Sequence, residues 1–254
     1  MLQALARIWV LLVVILCNVA ALAQSFDSTA LLRAISGPDR EVSDFARDNA
    51  RKPIQVLSFL GVQPGMTVLD LYAAGGYYTF ILSKAVGEKG TVYAQNTERG
   101  LRFVEDRQSI TQGEALAAKI ERGKLDNVIQ IVRPLDEIGL PSESIDFVIV
   151  AQTLHDYYNP SPERALEMLL QLKSLLKPGG VLGITDHVGV SGLDNRDLHR
   201  MEIQQAIDLA ERAGFGLESS DLLRVPADDH SRSIFDTRLN RSTDRFLLKL
   251  TKPL

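Results

Sequence analysis

Residues Ile145–Ala151 read IDFVIVA, an almost unbroken apolar run. A strand with one wet face alternates apolar and polar residues, whereas a run without alternation is covered on both faces. Similar short runs occur at Thr67–Tyr72, Thr91–Gln95, Val128–Val132 and Val181–Thr185, and Leu217–Leu223 and Arg245–Leu250 read as two last strands. Between them Tyr78–Val86, Gln108–Arg122, Pro162–Leu176 and Arg196–Ala213 carry helical patterns. Such alternation predicts an α/β fold, a mostly parallel sheet with helices on both faces. Ligands then belong beyond the carboxyl ends of the strands.

The preceding residues have two characters. Arg7 is followed by the apolar run Ile8–Leu16 and by Ala21-Leu22-Ala23, an order that predicts a secretory signal peptide over residues 1–23. The run is short of the roughly 20 residues a membrane span needs. An uncleaved N-terminal anchor is the alternative, and Cys17 raises a lipoprotein reading that Leu16, in place of a small residue, disfavours. Residues 24–62 read as an N-terminal helical segment, with helices at Ser28–Ile35 and Glu41–Leu60 and Pro53 opening the second half of the latter. Residues 63–254 then form the α/β domain. Cleavage leaves no cysteine and no membrane segment, and moves the net charge from −4 to −5 through loss of Arg7. An acidic chain without a basic block predicts no nucleic-acid partner. Its short basic clusters, such as Arg51-Lys52, read as solvated helix faces. The expected location is periplasmic or secreted, and the oligomeric state is not legible.

The first strand runs into a small-residue loop, VLDLYAAGGYY over Val68–Tyr78. Small residues let a ligand approach the backbone, and an acidic residue at the strand end can take a cationic amine. The glycine spacing does not match the dinucleotide fingerprint. With Ser142–Val150 and Lys177-Pro178-Gly179-Gly180 downstream, the chain resembles the class I S-adenosylmethionine (SAM) dependent methyltransferases. More narrowly it resembles a group of exported bacterial predicted methyltransferases, in which the loop runs into an aromatic-Tyr-Thr sequence (Tyr77-Tyr78-Thr79) and Thr185-Asp186-His187 ends the fifth strand.

The resemblance implies a Rossmann-like methyltransferase fold, with a seven-stranded, mostly parallel sheet whose last strand is antiparallel. It implies SAM as cofactor, with Asp70, Ala73, Gly75 and Gly76 lining its methionine end. Asn96 stands where the family usually places an acidic residue for the ribose hydroxyls, and Ala73 replaces the usual first glycine. Asp136 falls where an acidic or polar residue commonly meets the adenine amine, and Gln152 falls at the lip of the site. Read without the family, Asp70 equally caps the following turn and Asn96 fills an ordinary loop position.

His155, His187, His199 and His230 all map to the carboxyl edge of the predicted sheet, beside Asp156, Asp186, Asp228 and Asp229. General-base catalysis, a metal site and loop-stabilising hydrogen bonds all remain open for them. No H-x-x-x-H or H-E-x-x-H spacing points to a metal, and none is assigned. The expected catalytic group is His155 with Asp156 or His187, removing a proton from a small-molecule oxygen or nitrogen acceptor. The alternative is a periplasmic protein that keeps the fold and binds another ligand or a metal without methyl transfer.

Overall fold

The computed structural model describes residues 26–105, 108–239 and 242–254. The expected leader lies outside the described residues. Three helices come first: α1 (Ser28–Ile35), α2 (Val42–Arg51) and α3 (Pro53–Leu60). The domain continues as β1 (Thr67–Leu71), α4 (Tyr77–Val86), β2 (Thr91–Asn96), α5 (Glu98–Leu101), α6 (Gln112–Gly123), β3 (Val128–Val132) and β4 (Ile145–Ala151). It ends with α7 (Leu154–Tyr158), α8 (Pro162–Leu175), β5 (Leu176–His187), α9 (Ile203–Arg212), β6 (Gly216–Ser220) and β7 (Arg245–Thr251). Among the described residues, no helix is long and apolar enough to cross a membrane.

The strand order is β3-β2-β1-β4-β5-β7-β6. Five strands run parallel, and β7 pairs antiparallel with both β5 and β6. The IDFVIVA run lies near the centre of this sheet. Phe147 and Ile149 point into a core with α1, α3 and α4, while Val148 and Val150 point into the opposite core with α8 and α9. The period-2 alternation of a strand splits one apolar run between two helical layers. Asp70 shares a face with Val68, which places its carboxylate on the α4 side of β1.

Several boundaries differ from expectation. The predicted helix Glu41–Leu60 is two helices, because Lys52 adopts a left-handed conformation (φ 41°) and Pro53 starts afresh at the first turn of α3. Instead of starting at Gln108, α6 starts at Gln112, behind a capping box in which Thr111 and Glu114 exchange hydrogen bonds. The predicted helix Arg196–Ala213 begins only at Ile203. Lys177–Gly180, which follows the predicted helix Pro162–Leu176 and precedes the predicted strand, already belongs to β5, with a register shift against β4 between Ile145 and Phe147.

Candidate active site

The chain passes from β1 to β2 and β3 on one side of the sheet, then returns to place β4 and β5 on the other side. The crevice between the carboxyl ends of β1 and β4 is where an open α/β sheet accommodates ligands. A cleft of about 720 Å³ opens there, within the range of small-molecule sites. Seven non-glycine residues among those described have left-handed backbones, and Tyr72, Ala74, Gln152 and His199 all line this cleft. Conformations of this kind cost about 1–3 kcal/mol each and gather where surrounding contacts enforce them.

The loop after β1 forms one wall. Tyr72 N–H donates to Gln95 Oε1 (3.0 Å) and Ala73 N–H to the Gln95 carbonyl (2.9 Å). The Asn96 amide holds Ala74 at both backbone groups, accepting from its N–H (2.9 Å) and donating to its carbonyl (3.4 Å). Asp70 is buried at the strand end and accepts from Thr79 Oγ1 (2.6 Å). Burial lifts its pKa to about 7 against the hydrogen bonds from Thr79. Among the described residues, no cation lies within ion-pair range of it. A Cβ at Gly75 would fall on the carboxylate of Glu105, so a side chain there would push Glu105 from its place.

Helix α2 roofs this wall through a buried ionic network. Arg47 pairs with Asp44 and with Glu105 (3.0 Å). Lys119 pairs with Asp44 (3.2 Å) and donates to the Gly75 carbonyl (2.7 Å). One turn further along α2, the Arg51 guanidinium lies 4.4 Å from the Tyr77 ring centroid and bonds Gln152 Oε1 (3.3 Å). Arg51 pairs with no carboxylate among the described residues, and burial and neighbouring Arg47 lower its pKa. Arg245, at the start of β7, is buried in the same cleft. Its pKa is lowered to about 10 by burial and by the charge of Arg51.

The histidines occupy the other end. His155, in the first turn of α7, bonds Asp186 Oδ1 through Nδ1 (2.7 Å), and its backbone N–H donates to Asp186 Oδ2 (2.9 Å). Burial pulls its pKa down, but the charges of Asp186 and Asp156 more than offset this and lift it to about 10. His187 Nδ1 bonds Thr243 Oγ1 (2.8 Å). Burial and the charges of Arg245 and His155 drive its pKa well below the ordinary value, so the ring is neutral near pH 7. His199 packs edge-on against His155 and Phe235, with ring centroids 5.6 and 4.9 Å away. His230 instead pairs with Asp244 (3.1 Å), outside the cleft lining.

Of the residues singled out from sequence, Asp70, Ala73, Gly75, Asn96, Gln152, His155, Asp156 and His187 line the cleft. Gly76 does not. It turns the chain into α4 with φ 83°, and a Cβ there would meet Leu116. Asp136 also falls outside the lining, in an exposed turn after β3. The expectation of a solvated face fails for Arg51-Lys52, because Arg51 faces the cleft and Lys52 Nζ donates to the Leu222 carbonyl (2.8 Å). Arg47, Arg51, Glu105, Thr243 and Arg245 also line the cleft, and none of them stands out as a site residue in the sequence. For the two α2 arginines a signal existed, since Asp44, Arg47 and Arg51 stand at i, i+3 and i+7 on one helix face.

Residues 62–208, more than half of the chain, match the methyltransferase domain family. A demethylmenaquinone methyltransferase of Staphylococcus aureus is 29% identical over 131 residues, which is 50% of this chain and 46% of that protein. The chain thus aligns with only about half the length of this curated relative. A SAM dependent methyltransferase from Aquifex aeolicus superposes with a TM-score of 0.60 at 24% identity, covering 89% of this chain and 98% of that one. An S-adenosylmethionine dependent methyltransferase from Mesorhizobium loti gives 0.54 at 16% identity, covering 80% and 98%. These two likenesses are of fold. By its family match the chain belongs to the methyltransferase domain family, on the fold of the class I SAM-dependent methyltransferases.

Proposed function

We propose that the protein is an exported SAM-dependent methyltransferase acting on the oxygen or nitrogen of a small-molecule acceptor. The observation that carries this reading is the pairing of Asp70 with Arg51 in one cleft. Among the described residues, Asp70 is a buried carboxylate without a cation in contact, and Arg51 is a guanidinium without a carboxylate in contact. Together they suit the ammonium and carboxylate of an amino-acid zwitterion, which SAM carries at its methionine end. Asn96 is committed to Ala74, whereas Glu105 meets Arg47 through Oε1 and turns Oε2 toward Gly75, which makes it the carboxylate better placed for a ribose diol. Export rests on the sequence of residues 1–23.

Bound SAM would supply an electrophilic methyl group on a sulfonium, with S-adenosylhomocysteine as the leaving group when the acceptor takes that methyl in line. His187 is the group suited to take the acceptor's proton, because it is neutral and its Nδ1 is fixed by Thr243. Asp186 holds His155 in place and, through the His187 backbone N–H (2.7 Å), also fixes the end of β5. Asp156 faces His155 at the mouth of the cleft. The α2 roof orients Arg51, through its contacts with Tyr77 and Gln152.

Calorimetric titration of the purified protein with SAM and with S-adenosylhomocysteine tests the reading. Saturable binding is expected, and Arg51→Ala raises Kd by roughly 10- to 100-fold, the loss of one charge-assisted contact. Absence of binding of either compound at millimolar concentration rejects SAM as the ligand.

A further inference from the structure

We propose that His155, Asp156 and His199 form a binding site for a divalent transition ion of the zinc type at the mouth of the cleft. Each offers one donor atom, and the three atoms lie within 4.8 Å of one another. His155 Nε2 is 3.3 Å from Asp156 Oδ1, and His199 Nδ1 is 3.6 Å from the same oxygen. Zinc–ligand bonds of about 2.0–2.2 Å in tetrahedral array put neighbouring donors about 3.3–3.6 Å apart. Two of the three edges of the site already have that length.

A second observation points to a ligand. The His155 side chain is 3% exposed, yet its Nε2 is buried and makes no hydrogen bond. Its pair with Asp156 Oδ1 (3.3 Å) exists only while the ring is protonated, and the ion takes the place of that proton. The other ring nitrogen is held by Asp186, which is fully buried. A metal-ligating histidine characteristically donates its second N–H to a carboxylate, which fixes the tautomer that leaves the other nitrogen free for the ion. His199 reaches the group from a left-handed backbone position (φ 54°), a conformation that costs free energy unless something is gained by aiming the ring. Two imidazoles and one carboxylate favour zinc, cobalt or nickel over magnesium or calcium. Three protein donors leave a coordination position for an exogenous ligand, the arrangement of catalytic rather than structural zinc. On the methyl-transfer reading above, and resting on it, that position suits the acceptor's own oxygen or nitrogen.

The test uses the metal alone. Chelator-treated full-length protein is titrated with cobalt(II) and followed by visible absorption, then with zinc(II) by calorimetry. One ion per chain is expected, with the intense visible bands of a low-coordinate cobalt site. His199→Ala and Asp156→Asn alter exposed side chains and leave the core intact, and each is expected to weaken binding at least 10-fold. His230→Ala, outside the cleft lining, is expected to leave binding unchanged. No stoichiometric binding, or binding undiminished in both His199→Ala and Asp156→Asn, overturns the site. SAM titration of the same chelated sample separates the outcomes, since loss of the metal site leaves the Asp70–Arg51 zwitterion site in place.

Discussion

At the scale of single residues, Asp70 links structure to pH. Its pKa stands at about 7 in the folded protein because burial disfavours the charged form. The unfolded value is near 3.9, so the empty fold loses stability as pH rises from about 4 toward 7 and levels off above. A cationic ligand reverses the preference, because binding beside a protonated Asp70 must expel the proton. SAM affinity is therefore expected to fall about 10-fold per unit below pH 7 and to plateau above it. Asp70→Asn flattens the profile, and calorimetry between pH 5.5 and 8.5 reads it. A profile equally steep in the variant places the titrating group elsewhere. His187 gives a complementary expectation: His187→Gln lowers kcat by roughly 10²- to 10⁴-fold, the range for a general base. SAM Kd should stay within a few-fold, as single-turnover and binding measurements can separate. Neither environment is legible in the sequence. Asp70 was identifiable as a strand-end acid and His187 as a strand-end histidine. Their protonation depends on burial and on Arg51 and Arg245, which arrive from distant parts of the chain.

At the scale of elements, legibility follows how local the determining contacts are. The strand Ile145–Ala151 is readable because alternation within seven residues settles which face each side chain takes. The start of α6 carries a local signal as well, the Thr111–Glu114 box, which a helix begun at Gln108 passes over. The start of α9 is not. Arg200 is fully buried and bonds Asp228 (2.8 Å) and the Val188 carbonyl (3.0 Å), while Met201 bridges Val188. These long-range contacts take residues 196–202 out of the helix that their composition favours. The α2 roof likewise depends on a partner 58 positions away, because Arg47 meets Glu105. Arg47→Ala leaves Asp44 and Glu105 buried with less compensation and is expected to destabilise the protein by about 3–5 kcal/mol. Chemical denaturation measures this, and a cost below about 1 kcal/mol means that water replaces Arg47 in the network.

At the scale of the whole molecule, the two cores and the cleft have different degrees of support. The sheet is packed from both faces by helices of high burial, so it constitutes the rigid base. The roof is held to the cleft wall largely by charged groups: Asp44, Arg47, Glu105 and Lys119 at one end, Arg51 and Gln152 at the other. A ligand that touches both Asp70 on the base and Arg51 on the roof therefore ties two bodies together. Ligand at 100 times its Kd stabilises the bound state by about 2.7 kcal/mol, whichever contacts supply the affinity. What distinguishes the zwitterion site is where the protection falls. SAM is expected to slow amide exchange across Val42–Arg51 as well as in the loop after β1. In Arg51→Ala the loop should remain protected at saturating SAM while α2 does not. Zinc(II), bound through α7 and the loop before α9, should protect neither α2 nor the β1 loop. Exchange slowed only in the β1 loop of the unaltered protein shows that the roof takes no part in holding SAM, and Arg51 then loses its proposed role even if the affinity is high.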